Sequence, residues 1–191
     1  MKFAPCFTIL LLFANCNKPH DTVVRTDSSQ FVLYSIKSGE HYSDKSEYKP
    51  VETKQLTFAV KFDSSAVYQT QNSENQYDIN KLYGFSDNNA QHHQFSARIG
   101  WRWSDGALTL FGYVYNNGQL SSTQLATVTI GTQINCSITV EDSLYVFKVN
   151  NNCATLPRSS TTPKAEGYML YPYFGGDEVA PHDVKIWIRN L

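Results

Sequence analysis

The chain has 191 residues, which is enough for one domain with a sizeable core and a short additional segment. Its formal net charge of −1 argues against the broad cationic surface that binding to nucleic acid or to an anionic membrane requires, so any charged ligand must be held by a local patch. Aromatic residues make up 14% of the chain, which favours β structure because aromatic side chains pack well on pleated sheets.

The first 15 residues have the pattern of an export signal. Lys2 provides a positive start, and residues 7–13 form an apolar run that is too short to span a bilayer as a helix. Cys16 follows soon after, and the segment resembles a bacterial lipoprotein signal. That resemblance implies removal of residues 1–15, lipidation of Cys16, and anchoring to the cell envelope, in the outer membrane and facing the periplasm or the surface. Asn15 stands where the pattern has Gly, Ala or Ser, so a soluble secreted protein cut at another site is the alternative.

The rest of the chain is predicted to form a single domain behind a tether. Residues 16–29 hold the lipidated cysteine and a polar, flexible tether, and residues 30–191 form the domain. Cys136 and Cys153 lie in the domain and can form one disulfide in an oxidising compartment. Two free thiols are an equal alternative, because Cys153 has to fold back after a predicted hairpin to reach Cys136.

Short stretches of alternating apolar and polar residues predict ten β-strands and no helix of useful length. In chain order, the predicted strands cover residues 30–37, 56–62, 79–85, 95–103, 107–115, 125–130, 134–140, 144–149, 168–174 and 184–188. Residues 38–54, 63–78 and 154–165 are predicted to be loops, and the prolines of the last stretch exclude it from the centre of a sheet. This spacing indicates an all-β sandwich or barrel.

The hairpin within residues 92–115 is the most informative element. Its turn at Asp105-Gly106 is a strong hairpin signal, and alternate residues of each strand share a face. The face predicted to enter the core carries, from the first strand, Phe95, Ala97, Ile99, Trp101 and Trp103. The opposite face carries Arg98, Gly100, Arg102, Tyr113 and Tyr115. Such a face is typical of a sugar-binding groove, and an ordinary half-solvated sheet is the alternative.

Three short segments carry a resemblance to concanavalin A-like jelly-roll proteins: residues 80–85, 98–103 and 171–176. More narrowly, they resemble the polysaccharide-lyase and laminarinase-type members found among bacterial exported proteins. The resemblance covers residues 30–191 and implies an all-β jelly-roll sandwich of two antiparallel sheets. It also implies that Lys81 precedes the arginine-bearing strands of one groove, which a late strand with two tyrosines lines as well.

The chain departs from the catalytic motifs of these enzymes. Glycoside hydrolases of this fold carry Glu-x-Asp-x-x-Glu on one strand, and no two acids of this chain stand at i and i+2, which argues against hydrolysis. Alginate lyases of this fold carry Gln-x-His and Arg-x-Glu-x-Arg strands, and the interpretation is that neither motif is intact in this chain. Arg98 and Arg102 keep the arginine pair, but Gly100 occupies the middle position.

A lyase that acts on a uronate must neutralise the carboxylate, remove the α-proton and protonate the leaving oxygen. Arg98 and Arg102 can neutralise the carboxylate. His92, His93 or a tyrosine with a perturbed pKa can remove the proton, and Tyr171 or Tyr173 can donate to the leaving group. A solvated loop is the alternative for the histidines, and sugar stacking or plain packing is the alternative for the tyrosines.

The leading hypothesis is an envelope-anchored lipoprotein that binds an acidic polysaccharide. The predicted ligand-binding residues are Lys81, Arg98, Arg102, Tyr113 and Tyr115. A polysaccharide lyase that uses the same groove and a structural lipoprotein without a glycan ligand are the alternatives. We expect a monomer that contacts a membrane through its lipid alone, binds no nucleic acid and requires no cofactor.

One candidate metal ligand lies near the last predicted strand. Jelly-roll proteins of this superfamily often hold a structural calcium there, and the resemblance places Asp183 where the ligating aspartate would stand. A capped turn without a metal is the alternative.

Overall fold

A computed structural model describes residues 30–191, which form a sandwich of two six-stranded antiparallel sheets. The twelve strands are β1 Val32–Ile36, β2 Pro50–Thr53, β3 Gln55–Phe62, β4 Asn80–Ser86, β5 Phe95–Ser104, β6 Ala107–Asn116, β7 Gln119–Val128, β8 Ile134–Glu141, β9 Leu144–Val149, β10 Asn152–Pro157, β11 Ala165–Leu170 and β12 Val184–Asn190. The strand orders are β1-β12-β3-β8-β9-β10 and β2-β11-β4-β5-β6-β7. The export signal, Cys16 and the tether predicted for residues 1–29 lie outside the described residues.

Helical structure is confined to two short 3₁₀ turns at Ser64–Ala66 and Ser73–Tyr77 within residues 30–191. No helix in this part of the chain has the length and apolar character needed to cross a membrane. The predicted fold class, an all-β sandwich of two antiparallel sheets, is therefore confirmed.

Two tight turns set the register of the sheet formed by β4 to β7. Asp105 and Gly106 have φ values of 54° and 72°, and Asn117 and Gly118 have 52° and 77°. Two consecutive positive φ values define the type I′ turn, whose twist matches that of antiparallel strands. The first turn pairs Ser104 with Ala107, and the pairing continues along both strands to the far end of the hairpin, as the sequence predicted.

The core lies between the two sheets and is built by the predicted alternation. Ala97, Ile99 and Trp101 of β5 are completely buried, and Phe62 of β3 meets Trp101 from the other sheet with ring centroids 5.6 Å apart. Full burial of one such large apolar side chain contributes about 1.5–3 kcal/mol. Burial of this face fixes the opposite face of β5 toward the outside of the sandwich, where the arginines lie.

Two predicted loops contain strands. β2 lies within residues 38–54, and β10 begins just before the stretch 154–165. Both are the outermost strands of their sheets, so each pairs with one neighbour and depends little on its own apolar pattern. Pro157 ends β10, where its missing N–H is tolerated because an edge strand leaves some donors unpaired.

The strand predicted for residues 168–174 was wrong in its position. β11 covers Ala165–Leu170 and ends before Pro172, and Tyr173 keeps only isolated bridges to Tyr42 and Lys81. Proline lacks the donor that would continue the ladder. The chain therefore leaves the sheet after Leu170, directly before Tyr171 and Tyr173.

Cys136 and Cys153 are free thiols. Cys136 stands opposite Val149 in the sheet, whereas Cys153 stands opposite Lys148, its neighbour in sequence. Because adjacent residues of a strand face opposite sides of the sheet, the two cysteines point away from each other. Burial raises the pKa of the Cys136 thiol to about 12, while Cys153 is exposed. Of the two arrangements open from sequence, the structure has the unbridged one.

A buried ion pair fastens the loop after β10 to the end of β4. Asp87 is completely buried and accepts hydrogen bonds from Arg158 Nε at 2.8 Å and from Tyr145 OH at 2.5 Å. Backbone N–H groups of Asn88 and Glu166 donate to its other oxygen at 2.6 and 3.2 Å. The contacts thus join β4, β9, β11 and the loop through one carboxylate.

Candidate functional site

A cleft of about 440 Å³ lies on the outer face of the β2-β11-β4-β5-β6-β7 sheet. Strands β4, β5 and β6 form its floor, and residues 42–48 and 168–173 form walls. Eight of the residues singled out from the sequence line it together: Lys81, His92, His93, Arg98, Tyr113, Tyr115, Tyr171 and Tyr173. The fold thus brings an arginine, a lysine, two histidines and several tyrosines into one site.

Arg98 lies deep in this cleft and is only 6% exposed. Its guanidinium carbon is 5.2 Å from the ring centroid of Tyr113, its partner across the β5–β6 ladder. No carboxylate among residues 30–191 lies within ion-pair distance of Arg98, and its buried Nε has no hydrogen-bond acceptor. Burial lowers the pKa of the guanidinium because it disfavours the charged form.

A glycine makes room for this arginine. Gly84 of β4 pairs with Arg98, and a Cβ added at Gly84 would lie 2.1 Å from the carbonyl oxygen of Ala97 and 2.8 Å from Cγ of Arg98. Such distances are well inside van der Waals contact. A side chain at position 84 would therefore displace β5 and the stem of the arginine.

Lys81 supplies a second cation to the cleft. Its Nζ donates to the carbonyl oxygen of Gly175 at 2.8 Å and lies 5.1 Å from the ring centroid of Tyr113. Burial, followed by the charge of Arg98, lowers the pKa of Lys81 to about 8. At neutral pH the cleft therefore holds two positive charges that contact the same tyrosine ring.

Tyr173 is held rigidly at the Lys81 end of the cleft. Its backbone exchanges two hydrogen bonds of 2.9 Å with Lys81, and its ring stacks on His41 at 5.1 Å with an angle of 7° between planes. Tyr171 instead packs against Tyr34 and Tyr83 at the edge of the core, and burial raises its pKa to about 12. Burial also raises the pKa of Tyr173. Both phenols keep their protons at neutral pH.

The two histidines lie in the turn before β5, at the opposite end of the cleft. Nδ1 of His92 is 2.9 Å from the hydroxyl of Tyr168, and the His93 ring meets Tyr115 edge-on at 5.2 Å. Because a turn does not force neighbouring side chains apart as a strand does, the two imidazole centroids are only 4.3 Å apart. Burial, then the charges of Arg98 and His93, lowers the pKa of His92 to about 4. His92 is therefore neutral at physiological pH.

Three further tyrosines of the cleft were missed by the sequence analysis. Tyr168 was placed in a strand without a role, and Tyr42 and Tyr48 fell in a predicted polar loop. Gln91 and His93 also form a Gln-x-His sequence, so the interpretation that neither lyase motif is intact was wrong for this one, although here it lies in the turn before β5 and not on a strand. Tyr168 OH donates to the amide oxygen of Gln91 at 3.3 Å. The alternation of residues along predicted strands could not locate cleft side chains that lie in turns and loops.

Arg102 does not line the cleft, although it shares the face of Arg98. Its Nε donates to the Ser104 hydroxyl at 3.0 Å and its Nη1 to the Tyr77 carbonyl at 2.9 Å. Its guanidinium also lies 4.8 Å from the centroid of Phe111. These contacts hold Arg102 against the 3₁₀ turn at Ser73–Tyr77, so the structure contains one cleft arginine rather than a pair.

Asp183 also lies away from the cleft. Its two carboxylate oxygens accept from Lys37 Nζ at 2.7 Å and from the Ser38 N–H at 3.0 Å. Within residues 30–191, no three His, Cys, Asp or Glu side chains form a group that could hold a metal ion. Each oxygen accepts one hydrogen bond, and the structural calcium at Asp183 stays a prediction.

Comparison with known proteins gives similarity in structure but none in sequence. No protein-family model matches the chain, and no curated protein matches its sequence. An alginate lyase has a TM-score of 0.56 at 8% identity, over 85% of this chain and 74% of the lyase. A non-specific endo-β-1,3(4)-glucanase of family GH16 has 0.54 at 8% identity, over 84% and 71%. A GH16 protein of Bacteroides ovatus, solved with a product, has 0.52 at 11% identity, over 84% and 81%.

These identities are low enough that the similarity concerns the fold alone. The three structures named above come from two groups of jelly-roll enzymes, which are the groups that the short sequence segments resembled. The chain therefore has a concanavalin A-like jelly-roll fold, as its resemblance to the polysaccharide-lyase and laminarinase-type superfamily implied.

Proposed function

We propose that the cleft binds an acidic polysaccharide and that Arg98 holds a carboxylate of the sugar. The observation that carries this proposal is a guanidinium on the cleft floor, 6% exposed and without an acidic partner among residues 30–191. Leaving a charge buried without a partner is costly, and a carboxylate supplies the bidentate partner that a guanidinium fits best. An anionic ligand would relieve the cost that the free protein bears.

The rest of the cleft is complementary to the same ligand. Lys81 adds a second positive charge, and Glu47 is the one carboxylate among the described residues that line the cleft. Tyrosines occupy much of the remaining wall, and their rings offer flat apolar surfaces for the C–H faces of sugars. The jelly-roll fold of known polysaccharide-degrading enzymes agrees with a glycan ligand.

Affinity electrophoresis of the full-length protein tests this proposal. Gels would contain alginate, pectate or glucuronan, with neutral β-glucan as the comparison. We expect retention by an acidic polymer and weaker retention as salt is added, because the contact is largely electrostatic. Equal retention in the neutral glucan gel would contradict the role given to Arg98.

A lyase is the second candidate, and the neutral state of His92 favours it. With Nδ1 engaged by Tyr168, the other ring nitrogen of His92 can accept the proton α to a carboxylate held by Arg98. The electrons of that C–H bond form the new C=C bond, and the glycosidic C–O electrons leave with the oxygen. Water in the open cleft can protonate the leaving oxygen, because Tyr173 lies at the opposite end of the cleft from His92.

The lyase and the binding module differ in one readout. A lyase produces an unsaturated uronate, whose conjugated double bond absorbs in the ultraviolet. Rising absorbance that is lost in His92→Ala would establish the lyase, whereas retention with a flat trace supports binding alone. Absence of both retention and product would favour the structural lipoprotein without a glycan ligand.

Binding is expected to depend on pH through Lys81. Its pKa of about 8 means that its positive charge is present at lower pH and is lost as pH rises, while Arg98 stays charged. Affinity for an acidic polymer should therefore fall between about pH 7 and pH 10. Titration calorimetry with oligouronates across this range measures the effect.

Two variants show whether the pH dependence of binding comes from Lys81 or from the overall charge of the protein. Lys81→Met should bind more weakly at neutral pH and lose the pH dependence over this interval. Lys148→Met removes an exposed lysine of β9 and should keep the wild-type profile. A Lys81→Met profile parallel to the wild type would show that another group titrates.

We propose further that the protein is anchored to the bacterial envelope through lipid on Cys16. The support is the sequence: a short apolar run, residues 7–13, is soon followed by Cys16 and then by polar residues. In a bacterial host, wild type and Cys153→Ala should fractionate with membranes and Cys16→Ala should not. Recovery of wild-type protein in the soluble fraction would overturn the anchor and favour a secreted form.

A further inference from the structure

Two tyrosines at the rim of the cleft are more exposed than packing in the fold requires. Tyr42 and Tyr48 line the cleft and are 66% and 77% exposed. Large aromatic side chains are usually more buried than this, and an exposed aromatic at the mouth of a cleft is an available contact surface. Both belong to the wall formed by residues 42–48.

The two tyrosines lie at opposite ends of this wall. Tyr42 meets Tyr173 edge-on at 4.9 Å, and Tyr173 pairs with Lys81 at the start of β4. Tyr48 lies 5.8 Å from Tyr168, whose N–H donates to Ser86 at the end of β4. Ser86 lies five residues beyond Lys81 along β4, which corresponds to about 17 Å of extended strand. One sugar ring cannot span that distance.

The wall that carries them is fixed to the fold at both ends. The Ser43 N–H donates to the Pro172 carbonyl at 3.2 Å, and the Asp44 N–H donates to the Ser35 carbonyl at 2.9 Å. At the other end, the Met169 N–H donates to the Lys49 carbonyl at 2.9 Å. Because the backbone is already ordered, a ligand that stacks on either ring loses little free energy to loop ordering.

We propose that Tyr42 and Tyr48 are two separate sugar-stacking subsites on either side of the Arg98 carboxylate site. The ligand is then a chain whose different units contact the two tyrosines, and a single uronate is too short to use both. This inference rests on the proposed binding of an acidic polysaccharide. It adds that the cleft recognises a chain of several sugar units, and that Tyr42 and Tyr48 are the residues whose contacts depend on the length of this chain.

Oligouronates of increasing length, prepared from alginate and from pectate, test the proposal by calorimetry with the full-length protein. Wild-type affinity should rise from monomer to hexamer. Tyr42→Ala and Tyr48→Ala should each weaken hexamer binding by about threefold to tenfold, the scale of one aromatic contact. Their losses should multiply in the double variant, because the sites are far apart. Monomer binding should stay at the wild-type value in at least one of the two variants.

Matched variants make the result specific. Tyr42→Phe and Tyr48→Phe keep the stacking surface and should bind the hexamer as the wild type does. Tyr77→Ala removes an exposed tyrosine outside the cleft and should also have no effect.

Failure of the inference and failure of the proposed function give different outcomes. Unchanged hexamer binding in both alanine variants, with binding lost in Arg98→Ala, would overturn the stacking subsites and leave the carboxylate site in place. If both variants weakened the monomer as much as the hexamer, the two-unit proposal would be wrong. Absence of wild-type binding to every oligomer would overturn both.

Discussion

Replacing Arg98 with methionine is expected to weaken binding of acidic polysaccharide strongly and, at the same time, to raise the free energy of unfolding. Loss of one partner of a buried charge pair costs about 2–5 kcal/mol, so affinity should fall at least about thirtyfold. In the free protein the guanidinium is buried and its Nε unsatisfied, so its removal should recover about 1–3 kcal/mol. Calorimetric titration and urea unfolding measure the two effects.

Arg102→Met is the matched control because Arg102 lies on the same strand and the same face. Its guanidinium already donates to Ser104 and Tyr77, so its loss should leave binding unchanged and lower stability slightly. Equal loss of binding in both variants would indicate a diffuse positive surface instead of a defined carboxylate site. Arg98→Lys should fall between wild type and Arg98→Met, because lysine keeps the charge without the planar fork.

The opposite signs of the two Arg98 effects matter for interpretation. A residue that packs the core loses stability and function together when it is replaced. A residue that destabilises the free fold and is needed for binding points to a ligand that provides its missing partner. A marked loss of stability in Arg98→Met would therefore contradict the functional role even if binding also fell.

Much of the fold could be predicted from local patterns. The Asp105-Gly106 turn requires two positive φ values, which fixes the register of β5 with β6, and the alternation through Ala97, Ile99 and Trp101 then decides which face enters the core. β2 and β10 escaped prediction because edge strands draw their order from one neighbouring strand. Their own polar sequences carry little signal.

The candidate site was predictable in its residue types but not in its depth. Alternation shows that Arg98 and Arg102 share a face, yet it cannot show that only Arg98 is covered by the walls of the cleft. Those walls come from segments that are distant from β5 in sequence, and they include Tyr42 and Tyr168. Local patterns give the direction of a side chain, whereas burial depends on long-range packing.

Replacing Asp87 with asparagine is expected to cause the largest loss of stability. Asparagine keeps the shape of the side chain, but it leaves Arg158, which is 4% exposed, as a buried charge without a counter-charge. Removing one partner of a buried pair costs about 3–5 kcal/mol, a large fraction of the stability of an ordinary domain. Urea unfolding at neutral pH measures the change.

The same pair gives the stability a defined pH dependence. Burial alone would raise the pKa of Asp87, but hydrogen bonds from Arg158 and Tyr145 hold it below its usual value. A carboxylate whose pKa is lowered on folding stabilises the fold above its unfolded pKa, near 3.9, and this contribution is lost as pH falls through the folded value. Asp87→Asn should remove that part of the acid dependence.

Two further variants show whether the pairing itself is responsible. Asp183→Asn removes the exposed pair with Lys37 and should change stability little, since solvent already screens that contact. Arg158→Gln combined with Asp87→Asn should cost less than the sum of the two single changes, because the double variant leaves no uncompensated buried charge. Strict additivity would mean that each side chain acts through its other hydrogen bonds, such as those of Arg158 to Ser160 and Thr162.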